Sequence, residues 1–227
     1  MPPGKSFHAV CFDCDSTLSR IEGIDELASR AGLAAQIAPL TAAAMDGTLT
    51  LDAIYVERLS LVRPCRASLA WLGERYVEEI VLGAKETVDL LHRLGKAVYI
   101  VSGGLLPALE PLSRLLRIPR DRIHAVDVVF NPGGTYLDFD RLSALSRADG
   151  KAEVCRAIAK RYGDVAMIGD GATDVAARAG GAYVVGFGGV VQRQAVIDGA
   201  DAFVADHDLR AVLKLILSDA EQQSARV

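Results

Sequence analysis

What this sequence has little of narrows the field first. Four cysteines in 227 residues, Cys11, Cys14, Cys65 and Cys155, are too few and too scattered for a disulfide framework. No apolar run approaches the roughly 18 residues that a bilayer span requires. The opening residues Met1 to Ser6 carry no charged-then-apolar leader pattern, so a soluble, cytoplasmic protein with no membrane partner is expected. Basic residues are not in excess: 25 Lys and Arg against 29 Asp and Glu leave a net charge of −4 and no basic stripe, which argues against a nucleic-acid partner gripped by its phosphates. The four histidines, His8, His92, His124 and His207, are dispersed without ligand spacing and read as structural. No internal repeat and no low-complexity linker is visible.

What is present is ordinary for a globular chain: 51% hydrophobic and 24% charged residues. The length suits one domain, or a core with a smaller insert. The apolar run from Phe7 to Phe12 predicts a short buried strand, and it ends in Asp13-Cys14-Asp15-Ser16-Thr17. Carboxylates at the end of a buried strand are costly unless a cation or several donors compensate. A side-chain period of two lets Asp13 and Asp15 reach one substrate or one metal. On an extended strand Cys11 and Cys14 face opposite sides, unlike a redox pair at a helix start, so they are expected to be packing residues.

Downstream, Ile21 to about Ile80 shows helical patterns and little strand, including Leu51 to Leu59 and Ser68 to Val81, with Trp71 and Tyr76 expected as packing. Alternation follows. Glu86–Leu94 is a predicted helix, and Ala97–Val101 a strand ending in Ser102-Gly103-Gly104. Leu105–Leu116 reads as a helix with its prolines in first turns, and Ile123–Phe130 with Thr135–Phe139 reads as a hairpin. Lys151 opens a helix to Tyr162, and Val165–Ile168 is a strand that stops at Gly169-Asp170-Gly171-Ala172-Thr173-Asp174. Short strands at Ala182–Val185 and Ala202–Val204 complete an α/β, doubly wound parallel sheet, a Rossmann-like core with a small helical cap inserted after the first strand. The core is expected over 1–17 and 81–227 and the cap over 18–80. The basic run Arg114, Arg117, Arg120 and Arg122 reads as a solvated face.

The strand ends carry the chemistry. In an open α/β sheet ligands sit beyond the carboxyl ends of the strands, so Asp13, Asp15, Ser102, Lys151, Asp170 and Asp174 should converge. Several carboxylates in one crevice call for a hard divalent cation, most simply Mg²⁺. Ser102, the N–H groups at Gly103 and Gly104, and Lys151 suit a phosphoryl group. Such a set supports an aspartyl-phosphate mechanism; the alternative from a different class is a receiver-like signalling module in which an aspartate is phosphorylated to switch a partner surface, against which stand Asp15 and the helical insert.

Together Asp13-Cys14-Asp15-Ser16-Thr17, Ser102-Gly103-Gly104, Lys151 and Gly169 to Asp174 resemble the four ordered motifs of the haloacid dehalogenase superfamily of phosphatases. The resemblance implies Asp13 as nucleophile and Asp15 as general acid/base. It implies Mg²⁺ held by Asp13, the Asp15 carbonyl and Asp170, with Asp174 supporting the metal shell, and a phosphoryl group held by Ser102 and Lys151. It further implies L-phosphoserine as the small-molecule substrate, its ammonium read by Glu22 and its carboxylate by Arg58. Met45, Gly103, Gly104, Thr173 and Arg193 match further pocket positions. Three positions depart from that pattern: Asp46 where a glycine is usual, Leu51 where an aromatic is usual, and Val190 where an asparagine is usual. Asp46 adds a negative charge near the mouth, which favours a different small phosphomonoester unless it points away.

Overall fold

The first strand, β1 (Ala9–Phe12), is buried at all four residues and takes the middle of a parallel sheet. The computed structural model describes residues 6–46 and 48–224. On one side β1 pairs with β2 (Ala97–Leu105), Phe12 opposite Ile100; on the other it pairs with β6 (Val165–Gly169), Phe12 opposite Ile168. Beyond β2 lies β3 (Ile123–Val126), and beyond β6 lie β7 (Tyr183–Phe187) and β8 (Ala202–Val204), all parallel. The order β3-β2-β1-β6-β7-β8 reverses direction at β1, so the loops after β1 and β6 diverge there. That divergence opens a crevice at the carboxyl edge of the sheet, the place where open α/β sheets hold ligands. Near-continuous apolar strands such as Val165–Ile168 follow from burial on both faces.

Between β1 and β2 come α1 (Gly23–Arg30), α2 (Ala34–Met45), α3 (Leu51–Val62), α4 (Arg66–Glu78) and α5 (Ala84–Arg93). The first four stand over the crevice. The chain leaves the core and re-enters it side by side: Ser19 bridges Ile80 antiparallel, Arg20 N–H donates to the Glu79 carbonyl at 2.8 Å, and Val81 N–H donates to the Leu18 carbonyl at 2.9 Å. Helix α4 lies against α6 (Leu106–Leu115). A Cβ at Gly73 would come within 2.6 Å of Pro111 Cγ, so the two helices meet at a bare backbone. The remaining helices are α7 (Gly150–Tyr162), α8 (Ala172–Ala176), α9 (Gln194–Gly199), α10 (Leu213–Ile216) and α11 (Asp219–Ser224).

Four expectations are corrected. Strand β2 does not stop at Val101 but runs through Ser102 and Gly103 to Leu105. The hairpin is shorter than its apolar run: Ile123–Val126 joins the main sheet, and only β4 (Val128–Phe130) pairs antiparallel with β5 (Tyr136–Phe139). Asp127 makes the break, its carboxylate accepting from Val128 N–H at 2.8 Å while its carbonyl accepts from Asp140 N–H at 2.9 Å. Pro111 sits inside α6 rather than in a first turn, where its ring fills the contact with Gly73. The last helix of the insert, α4, ends at Glu78 instead of reaching Val81, since Ile80 is taken by the bridge to Ser19.

Cys11 and Cys14 are buried and unbonded, as packing residues. Of the basic run, Arg114, Arg117 and Arg120 are solvated, with Arg117 paired to Asp89 and Arg120 to Glu110, whereas Arg122 is half-buried over the Tyr99 ring. No helix among the described residues is long and apolar enough to cross a membrane.

Candidate active site

Directly after β1 the chain makes a tight turn in which the N–H groups of Thr17, Leu18 and Ser19 all donate to the Cys14 carbonyl. Ser16 adopts a left-handed φ of 51°, a conformation unfavourable for a residue with a Cβ and characteristic of sites where the surrounding structure imposes it. The turn aims Asp13 and Asp15 into the crevice. Asp13 is 4% exposed; its Oδ1 accepts from Cys14 N–H at 2.7 Å and its Oδ2 lies 2.7 Å from Lys151 Nζ. Lys151, in the first turn of α7, also lies 2.7 Å from Asp174 Oδ1. Burial alone would lower the Lys151 pKa, but the two carboxylates outweigh it and raise it above the ordinary value.

Asp170 and Asp174 follow β6. Gly171 N–H donates to Asp174 Oδ2 at 3.0 Å, Thr17 Oγ1 donates to Asp170 Oδ1 at 3.3 Å, and Arg193 Nε reaches Asp170 Oδ2 at 3.2 Å. One oxygen each of Asp13, Asp170 and Asp174 lies within 4.8 Å of the others, all three residues buried. Burial, then the Asp13 and Asp174 charges, push Asp170 up to about 8; burial also raises Asp174 to about 7, with Lys151 opposing. A crowd of buried oxygen donors that resist joint ionisation fits a hard divalent cation, whose charge relieves the repulsion. The Asp15 carboxylate stands apart from this cluster.

The other half of the crevice is built by β2 and the insert. Ser102 is buried within β2, where the register against β3 shifts between Val101 and Leu105, and its Oγ accepts from Gly104 N–H at 3.1 Å. Asp13, Asp15, Glu22, Arg58, Ser102, Gly103, Gly104, Lys151 and Thr173 all line one cleft. Arg193 reaches it from the core side, with Nη2 lying 3.3 Å from Glu22 Oε1. Glu22 also accepts from Ser16 Oγ at 2.8 Å, and burial raises its pKa, with the Asp15 and Asp170 charges adding to the effect. The side chain of Met45 lies outside the described residues.

Arg58 is 4% exposed, and burial lowers its pKa from the usual guanidinium value. Its Nη1 donates to Thr41 Oγ1 at 3.3 Å, and Thr41 donates to Asp25 at 2.7 Å. Its Nε has no partner; among the described residues the other buried side-chain polar atom in that state is Thr87 Oγ1. An unpaired N–H on a buried cation is expensive, and Arg58 is one of the residues that line the cleft.

Sequence reasoning missed some contributors. Tyr76 is more than packing: its hydroxyl donates to Asp15 Oδ1 at 2.6 Å, beside Gly23 N–H at 2.9 Å. Tyr55 Oη donates to the Gly103 carbonyl at 2.9 Å, fixing the bend of β2. A tyrosine on the apolar stripe Leu69, Leu72, Gly73, Tyr76 was the available signal, because a buried phenol needs a hydrogen-bond partner.

Known proteins share this layout. The family model for haloacid dehalogenase-like hydrolases matches residues 10–178. The chloroplastic phosphoserine phosphatase of Arabidopsis thaliana is 39% identical over 201 residues, 87% of this chain and 68% of that one. The mouse (Mus musculus) phosphoserine phosphatase is 36% identical over 203 residues, 88% of this chain and 90% of that one. A solved phospho-aspartyl intermediate analogue of phosphoserine phosphatase is similar with a TM-score of 0.79 and 28% identity, covering 94% of this chain and all of that one. With the site at the reversal point of the sheet and the match running through its motifs, the chain belongs to the haloacid dehalogenase-like hydrolases.

Proposed function

We propose that the protein hydrolyses L-phosphoserine to L-serine and phosphate in a Mg²⁺-dependent reaction that passes through an aspartyl-phosphate on Asp13. The observation that carries the substrate assignment is Arg58: a buried guanidinium with an unpartnered Nε, lining the same cleft as Glu22, Ser102 and Lys151. A zwitterion with a phosphate at its far end satisfies every group in that set. Its carboxylate neutralises Arg58, its ammonium meets Glu22, and its phosphoryl oxygens take Ser102, the N–H groups near Gly104 and Lys151. Gly103, Thr173, Arg193 and Met45 complete the pocket in this reading.

In the first step an Asp13 carboxylate oxygen attacks phosphorus and the bond to the serine oxygen breaks. Asp15, whose pKa burial raises to about 6 with the Asp13 charge adding, keeps a minor protonated fraction near neutral pH, and that form gives its proton to that oxygen. In the second, Asp15 takes a proton from water, which attacks phosphorus, releases phosphate and frees Asp13. Lys151 holds Asp13 and Asp174 in place throughout, within 2.7 Å of each. Asp13, the Asp15 carbonyl and Asp170, supported by Asp174, would hold Mg²⁺, which when bound neutralises charge on the phosphoryl group. The segment 18–80 acts as a cap, entering and leaving through the Ser19–Ile80 bridge, and excludes water during the first step. Core residues 1–17 and 81–227 carry the chemistry. A reducing cytoplasm fits the free buried thiols of Cys11, Cys14 and Cys155.

Phosphate release from a panel of substrates tests the reading. L-Phosphoserine is expected to exceed phosphoethanolamine, which lacks the carboxylate, by about 10- to 100-fold in kcat/KM, the worth of charge-assisted hydrogen bonds. Equal turnover of the two would assign the cleft to another small phosphomonoester.

A further inference from the structure

We propose that Tyr76 is a positioning residue for Asp15, fixing one oxygen of its carboxylate so that the other is presented to the leaving group. The inference rests on the phosphatase reading above. Tyr76 is 1% exposed and its Oη donates to Asp15 Oδ1 at 2.6 Å. Gly23 N–H donates to the same oxygen at 2.9 Å. Two donors converging on Oδ1, one from α4 and one from the start of α1, leave the carboxylate no freedom to rotate without losing both.

The second oxygen is turned toward the phosphoryl donors. The position that a Cβ would take at Gly104 lies 3.7 Å from Asp15 Oδ2 and 3.3 Å from Ser102 Oγ. Oδ2 and Ser102 Oγ thus both border Gly104 in the same cleft, the side on which a proton has to be delivered as the ester bond breaks.

The surroundings hold Tyr76 in this place. Gly23 has no side chain, and a Cβ there would lie 1.9 Å from Tyr76 Oη, so the phenol occupies volume that any other residue at 23 would claim. Helix α4 is itself seated on the core through Gly73 against Pro111, at 2.6 Å from a Cβ position. The hydroxyl is thus held relative to Asp15 by a helix packed directly on the core.

The role predicts selectivity by leaving group. Serine leaves as a strongly basic alkoxide and needs the proton from Asp15; p-nitrophenolate is stable without it. Tyr76→Phe keeps the ring and removes only the hydroxyl. Its kcat/KM for L-phosphoserine is expected to fall about 10- to 100-fold, while that for p-nitrophenyl phosphate stays within about threefold. A burst of p-nitrophenolate should appear, because the later step, in which Asp15 takes a proton from water, becomes slow. Gly23→Ala, which keeps the N–H but crowds Oη, should show the same selectivity. Equal losses on both substrates in the two variants, or no loss in either, would overturn the proposal. If Tyr76→Phe does not fold, the substrate ratio of Gly23→Ala decides alone. A wild-type enzyme inactive on both substrates would sink the phosphatase reading and this inference with it; an active one with an unaltered ratio sinks only the role of Tyr76.

Discussion

Arg193 Nη1 lies 3.5 Å from Asp46 Oδ1, so the acid that departs from the family pattern is matched by a cation. The same guanidinium reaches Glu22 at 3.3 Å and Asp170 at 3.2 Å, tying the insert to the core across the mouth of the cleft. Asp46 is 53% exposed, which limits what its pair is worth.

From that exposure, Asp46→Gly is expected to leave kcat within about twofold. KM for L-phosphoserine should fall no more than about fivefold, the equivalent of a surface pair of about 1 kcal/mol. Steady-state kinetics check it; a rise in KM would mean that Asp46 itself helps to bind the substrate.

Arg58 sets specificity against stability. Arg58→Met removes a buried cation whose Nε is unpartnered, so the substrate-free protein should gain about 1–3 kcal/mol in denaturant unfolding. The same variant should lose its preference for L-phosphoserine over phosphoethanolamine. Lower stability with preference retained would remove Arg58 from substrate recognition.

The metal account makes a separate demand. Asp170→Asn replaces a carboxyl whose ionisation burial and the neighbouring Asp13 and Asp174 already resist, so the metal-free variant should be at least as stable as the wild type. Saturating Mg²⁺ should stabilise the wild type by about 3 kcal/mol at a hundredfold excess over its dissociation constant, and the variant far less. Thermal melts with and without Mg²⁺ read both. An equal shift in the two proteins would place the ion elsewhere.

Far from the cleft, a polar clasp fixes α11. Lys96 Nζ lies 2.7 Å from Glu221 Oε1 and donates to the Phe7 carbonyl at 2.8 Å. Burial alone would raise the Glu221 pKa, but donation by Lys96, by Ser218 N–H and by Ser6 holds it at about 2, below its ordinary 4.5. A depressed carboxylate contributes stability that is present above its unfolded value and lost as pH falls through its folded value. Wild type and Glu221→Gln should therefore differ in urea midpoint at neutral pH, the gap closing between about pH 4.5 and pH 2. A gap independent of pH would contradict the clasp.

Much of this architecture was legible because it is local. Asp13, Asp15, Lys151, Asp170 and Asp174 each sit at a strand end or helix start that its own neighbours announce, and the parallel sheet then brings those ends together. Residues that act across the fold were not legible. Tyr76 meets Asp15 from 61 positions away, and Arg58 is aligned by Thr41 from a different helix. Amphipathic spacing marks such residues as buried without saying which polar group they face. The hairpin error has the same origin: one acid, Asp127, interrupts an apolar run, and only its hydrogen bonds to Val128 and Asp140 reveal that the chain changes sheets there.

The central claim is a covalent phosphoryl group on Asp13, and it can be weighed directly. Enzyme mixed with L-phosphoserine and Mg²⁺, quenched in acid and digested, should yield the peptide carrying Asp13 heavier by one phosphoryl group, absent in Asp13→Asn together with turnover. Undiminished phosphate release by Asp13→Asn, or the added mass on a peptide without Asp13, would contradict it.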